Sequence, residues 1–126
     1  MKTEQIKTLW TLPCKSQEFE EGPQVMLTRR TVTLKYDYEA ESGYAWAAIV
    51  FNGVHGFQFT RDYSCEPNQI DAYDKVVEVQ SSSWVEKLLA RRPRSVPTMP
   101  VKHYRIYFDN VGCYDVAAED FQASNE

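Results

Sequence analysis

Chemistry in this chain would have to start from two histidines, His55 and His103, and three cysteines, Cys14, Cys65 and Cys113. Cys65 stands just before Pro67, a residue suited to a first helical turn, and backbone N–H groups at a helix start lower a thiol's pKa. With His55 and Tyr63 close in sequence, Cys65 defines a candidate reactive site for a small enzyme or a small-molecule binder, in a cleft between helices and sheet. Asp62 and Glu66 flank the thiol with negative charge, which works against a thiolate. A small structural residue at a strand-to-helix junction is the simpler account of Cys65.

A second pairing, His103 with Cys113, lies within "HYRIYFDNVGCYDVAAEDF", residues 103–121. This stretch alternates with period two, as a β-hairpin does. A two-residue loop would place Asp115 among Tyr104, Ile106 and Phe108, which is costly for a carboxylate. A three-residue loop, Asn110-Val111-Gly112, opposes Asp109 to Cys113 and Phe108 to Tyr114 instead. Tyr104, Ile106, Phe108, Tyr114, Val116 and Ala118 then share the inner face. His103, Arg105, Tyr107 and Asp115 share the outer one, with Tyr107 opposite Asp115. In that register His103 and Cys113 are about 20 Å apart along the strands, too far for a nucleophile and its base.

The remaining constellations are weaker. Asp71, Asp74 and Glu78 recur at helical spacing and read as a solvated helix face. Arg91, Arg92 and Arg94 leave a helix end, where cations complement the helix dipole. The sequence carries no Walker loop, dinucleotide-binding glycine motif, nucleophile elbow, H-E-x-x-H, EF-hand loop or C-x-x-C. No catalytic residue, metal-ligand set or cofactor is therefore assigned.

The elements that must position these residues follow from periodicity and turn chemistry. Residues 1–23 are ambiguous: "IKTLWTLP" reads either as a short strand, with Ile6, Thr8, Trp10 and Leu12 on one side, or as a frayed helix, and "CKSQEFEEGP" reads as loop. "QVMLTRRTVTLKYDY", residues 24–38, reads as one strand with Met26, Val32, Leu34 and Tyr36 on its buried face. Asn52-Gly53 between two apolar runs signals a hairpin, with Trp46, Ala48, Val50, Phe57 and Phe59 on one side. His55 falls at its end, half buried. Ile70, Tyr73, Val76 and Val77 recur at helical spacing, and "SWVEKLLARR" after the serine caps of "QSSS" reads as a second helix. The prolines of "RPRSVPTMP" make an extended connector before the final hairpin, and residues 122–126 read as a loose tail.

The expected fold is a single α+β domain over residues 1–126. It has a mainly antiparallel sheet of about five strands, and two helices inserted before a C-terminal hairpin pack on one face. Net charge is −4, from 14 basic and 18 acidic side chains, without the concentrated basic footprint of a nucleic-acid binder. An odd cysteine count without framework spacing and the absence of a long apolar run lead to the expectation of a reduced, cytoplasmic protein without a membrane span.

"YAWAAIVFNGV", "QIDAYDKVVEVQSSSWVEKL" and "HYRIYFDNVGCYDVAAEDF" follow one another in an order that resembles small uncharacterised bacterial single-domain proteins, over residues 44–121. The resemblance implies a bacterial source and carries no residue roles. The functional expectation is a non-enzymatic protein-interaction module, in the manner of an immunity protein or small regulator, using an exposed sheet face or edge. His103, Arg105, Tyr107 and Asp115 are its expected patch, because tyrosine and arginine are enriched at hot spots. Its partner would be another protein, with the oligomeric state open, a homodimer included.

Overall fold

The computed structural model describes residues 4–93, 95 and 99–124. Its architecture corrects the expected one. Instead of one sheet carrying two helices, the described residues form nine strands in two antiparallel sheets, with little helix. In chain order the strands are β1 (Gln5–Thr11), β2 (Gln24–Leu27), β3 (Thr31–Ala40), β4 (Gly43–Asn52), β5 (Gly56–Arg61), β6 (Lys75–Gln80), β7 (Lys102–Phe108), β8 (Gly112–Ala118) and β9 (Asp120–Ser124). One sheet has the order β1-β6-β7-β8-β5 and the other β2-β3-β4-β9.

The two sheets pack face to face. Val32, Leu34 and Tyr36 of β3 and Ala47, Ile49 and Phe51 of β4 join Val76, Tyr104, Ile106, Phe108, Tyr114, Val116 and Ala118 in one buried cluster. Aromatic rings tie the layers: Phe51 lies 5.5 Å from Tyr104, and Phe121 of β9 lies 5.3 Å from Tyr104. Burying each such side chain contributes about 1.5–3 kcal/mol, so this interlayer cluster dominates stability.

Four sequence expectations change here, each for a physical reason. First, residues 24–38 are a hairpin, with Arg29 and Arg30 in the turn between β2 and β3. Thr28 and Thr31 close it, the Thr28 N–H donating to the Thr31 carbonyl at 3.0 Å. Met26 consequently faces Thr33, on the side opposite to Val32 and Leu34.

Second, Asn52-Gly53 does not close a hairpin. β4 and β5 belong to different sheets, and Gly53, at φ 64°, turns the chain from one layer to the other. An apolar run on each side of such a turn fits a crossover between layers as well as it fits a hairpin.

Third, the helical spacing of Ile70 to Val77 is a coincidence of two elements. Pro67–Ile70 is a single helical turn, α1, and Lys75–Gln80 is the strand β6 between β1 and β7. Val76 and Val77 are both fully buried, on opposite faces, which mimics a helix stripe. Asp71, Asp74 and Glu78 therefore do not form a helix face. Asp74 takes φ 55° and accepts from the Ser16 N–H at 3.1 Å.

Fourth, residues 122–124 pair with β4 as part of β9 rather than trailing as a loose tail. The strand reading of residues 5–11 is the one realised, since β1 pairs with β6. The second helix forms as α2 (Ser83–Ala90), with Ser82 as its N-cap accepting from the Val85 N–H at 3.2 Å. Among the described residues no helix is long and apolar enough to cross a membrane.

The two short helical segments touch the outer face of the five-stranded sheet only locally, α2 through Trp84 against His103 and Leu88 near Gly56. Ala72 packs on Val77, Tyr107 and Cys113. At β5, α2 comes so close that a Cβ on Gly56 would lie 2.7 Å from Leu88 Cδ1, so a larger residue there would require the Leu88 side chain to shift.

Candidate functional site

The final hairpin keeps its expected faces but shifts its pairing. Phe108 opposes Gly112, Tyr107 opposes Cys113 and Arg105 opposes Asp115 directly. The loop is Asp109-Asn110-Val111, with Asn110 at φ 59°, a conformation asparagine tolerates. Because the loop moves by one residue, each residue's cross-strand partner moves by two, so parity is preserved and the two faces survive. Arg105 opposite Asp115 replaces the expected Tyr107–Asp115 pair.

The outer face is polar, as expected, but it is not exposed. His103, Arg105 and Asp115 are only 3–5% accessible and Tyr107 is 8% accessible, beneath α1, α2 and the segment before β1. A docking patch made of these four side chains is therefore corrected: Tyr107 packs with Ala72, Val77 and Cys113, and His103, Arg105 and Asp115 form a buried network. Asp115 sits at its centre. Oδ1 accepts from His103 Nε2 at 2.6 Å and from Arg105 Nε at 2.7 Å. Oδ2 accepts from Gln69 Nε2 at 3.4 Å and from the Cys113 thiol at 3.6 Å.

Burial alone would raise the Asp115 pKa, but the His103 hydrogen bond and the Arg105 charge outweigh it and hold the carboxyl below its usual range. Arg105 spends its second nitrogen on Glu4 Oε1 at 2.8 Å, so the guanidinium lies between two carboxylates and keeps its charge. With Asp115 ionised, the hydrogen on His103 Nε2 is the one shared with it. Nδ1 is 2.7 Å from Ser82 Oγ, and the ring edge meets the Trp84 indole at 4.9 Å.

This Ser82–His103–Asp115 chain has the residue order of an acid–base relay with the two ring nitrogens exchanged, serine on Nδ1 and carboxylate on Nε2. Its serine is also the N-cap of α2, and its carboxylate is saturated by four donors. Each group thus holds a helix to the sheet. Gln69 works similarly: its Oε1 accepts from the Glu66 N–H at 2.9 Å in a capping box, while its Nε2 reaches Thr60 and Asp115. Sequence reasoning missed Glu4, Gln69, Ser82 and Trp84 as members. The E-x-x-Q spacing of Glu66 and Gln69 and the serine cap were the available local signals.

His103 and Cys113 are closer than the sequence register implied. They meet on opposite oxygens of one carboxylate, four strand residues apart, which is about 13 Å along the strand. They form no dyad, since the thiol gives its hydrogen to Asp115, and burial pushes the Cys113 pKa far up.

The alternative reactive site is not brought together. His55 precedes β5, 3.7 Å from Glu119, whereas Cys65 follows that strand at its other end. The Cys65 thiol donates to the carbonyls of Thr60 and Arg61, and burial, followed by the Asp115 and Asp62 charges, raises its pKa. Tyr63 is 81% exposed, with Arg61 stacked over its ring. Arg91 and Arg92 close α2, while Arg94 lies outside the described residues.

A cleft of about 340 Å³ opens above the network, with Glu4, Thr60, Gln69, Trp84 and Arg105 among its walls. Among the described residues, no group of three or more histidines, cysteines and carboxylates is placed to hold a metal ion.

The open surface lies on the other sheet. β2 is an edge strand, and Val25, Met26 and Leu27 are 40%, 52% and 62% exposed. Since Thr28 bonds to Thr31, alternation along an antiparallel ladder points the N–H and C=O groups of Val25 and Leu27 away from β3.

Comparison with protein-family models, curated proteins and solved structures gave no match.

Proposed function

We propose that the chain is a non-enzymatic interaction module that binds an extended segment of another protein by strand addition to β2. The observation that carries this reading is an edge strand with three consecutive exposed apolar residues and outward backbone groups at Val25 and Leu27. Soluble proteins usually blunt such an edge with charge, proline or a bulge, because it is a template for pairing. Here the charges stand at the two ends, Glu20 and Glu21 before the strand and Arg29 and Arg30 after it, leaving the middle apolar. Main-chain hydrogen bonds would supply affinity and the side chains at alternate positions specificity. The three free thiols fit a reducing compartment such as the cytoplasm.

The test uses proline. At Val25 or Leu27 it removes an N–H that serves no ladder bond within the chain, which an edge strand tolerates. With the wild-type chain as bait, a specific protein is recovered; with Val25→Pro or Leu27→Pro, at an unchanged melting temperature, that protein is lost. Equal recovery by all three baits would refute strand addition at β2.

A further inference from the structure

A second feature of the same sheet carries a separate inference. On its outer face, Trp46 of β4 opposes Asp37 of β3, and Tyr44 opposes Glu39. The segment before β2 folds over this end of the sheet, because buried Asp37 accepts from the backbone N–H groups of Glu20, Glu21 and Gly22 at 3.1, 2.9 and 2.7 Å. The fold-over brings two further carboxylates beside two aromatic rings. The resulting cleft, about 430 Å³, is walled by Glu20, Glu21, Asp37, Tyr44 and Trp46: three carboxylates, two aromatic side chains and no base. A neighbouring cleft of about 560 Å³ shares Glu20, Asp37 and Tyr44 and adds Glu18, Glu39 and Lys15 to the walls.

The carboxylates are not equivalent. Asp37 is spent on three N–H donors, and Glu20 accepts from the Tyr44 hydroxyl. Glu21 and the second oxygen of Glu20 retain acceptor capacity beside Tyr44, which is 57% exposed, and Trp46, which is half buried. Lys35 stands in the next row of the face, opposite Ala48, and is not part of the wall.

Carboxylates set beside aromatic faces select for cations that are weakly hydrated and carry an apolar stem. Such a cation gains attraction to the ring quadrupole as well as Coulomb attraction, whereas a metal ion needs converging oxygen ligands. We propose that this cleft binds an organic cation, a guanidinium or ammonium group on an aliphatic stem, with its charged head at Glu20 and Glu21 and its stem against Tyr44 and Trp46.

The group could be carried by a polypeptide or by a free amine, and two probes separate these sources. N-acetyl-argininamide stands for the side chain within a peptide, agmatine for the free amine, and N-acetyl-citrullinamide for the neutral isostere. The readout is the indole N–H resonance of Trp46, assigned by its loss in Trp46→Phe.

A saturable shift is expected with at least one cation, weakened at least fivefold for the citrulline probe and at least fivefold by the double substitution Glu20→Gln with Glu21→Gln. Tyr44→Ala, exposed and away from the core, should weaken it similarly with the rest of the spectrum unchanged. Binding of the capped arginine alone assigns the group to a polypeptide, and binding of agmatine alone assigns it to a free amine. Non-saturating shifts for both cations, equal binding of citrulline, or indifference to the glutamine substitutions would overturn the proposal. None of these readouts depends on strand addition at β2.

Discussion

Arg105 and Asp115 face each other across β7 and β8, with Nε 2.7 Å from Oδ1 and both residues about 95% or more buried. The sequence alternation of this hairpin puts a cation and an anion on one face, and Glu4, Gln69 and Trp84 then close around them. Asp115 is thereby the point at which two helices, two strands and the segment before β1 are tied together.

Breaking this pair should be costly. Asp115→Asn removes the buried counter-charge of Arg105 and leaves it the partly exposed Glu4 carboxylate and the Asn68 carbonyl, and the loss should be about 3–5 kcal/mol by urea denaturation. Replacing both partners by leucine and methionine should cost clearly less than the two single changes added together. An additive cycle would mean that the two groups do not depend on each other.

The thiols should be sluggish. Cys14 is pushed up to about 11 by burial and the neighbouring Asp74 charge, and burial raises Cys65 and Cys113 as well. Alkylation by iodoacetamide at neutral pH should run at least about tenfold slower than for free cysteine, whose pKa is near 8.5. Rapid modification of Cys65 would revive the reactive-site reading.

Acid should loosen the fold through its buried carboxylates. Asp37 and Asp115 both have depressed pKa values, Asp37 because its three backbone donors outweigh the burial that would raise it. Their contributions are fully present above the unfolded carboxylate pKa of about 3.9 and are lost as pH falls through the folded values. Asp37→Asn should lower stability by about 1–3 kcal/mol at pH 7, with the difference from wild type shrinking below about pH 4. A difference that stays constant down to pH 2 would contradict the assignment.

Gly112 should be irreplaceable at its turn. It holds φ 143°, and a Cβ there would lie 2.1 Å from the Thr60 carbonyl oxygen. Gly112→Ala should cost at least about 2 kcal/mol, measured as a fall in melting temperature, because strain and backbone overlap add. A neutral substitution would mean that β8 and β5 do not run as described.

Much of the site was legible in the sequence. Period-two alternation grouped His103, Arg105 and Asp115 on one face, and an error in loop placement left that grouping intact because it preserved parity. Their burial was not legible, since a polar sheet face looks the same in sequence whether water or a helix covers it. Architecture was less accessible. Val76 and Val77 are buried on opposite faces of β6, which erased the strand period, and Asn52-Gly53 supports a crossover as readily as a hairpin. Recognising β2 as a separate edge strand needed the Arg29-Arg30 turn, which carries neither glycine nor proline to mark it.

The most direct test of strand addition is amide hydrogen exchange at β2, read residue by residue in the isolated chain and in its complex with the recovered protein. In isolation, the Val25 and Leu27 amides should exchange rapidly while Met26, bonded to β3, exchanges slowly. In the complex all three should be slow. Val25 and Leu27 amides that remain fast in the complex would contradict the account.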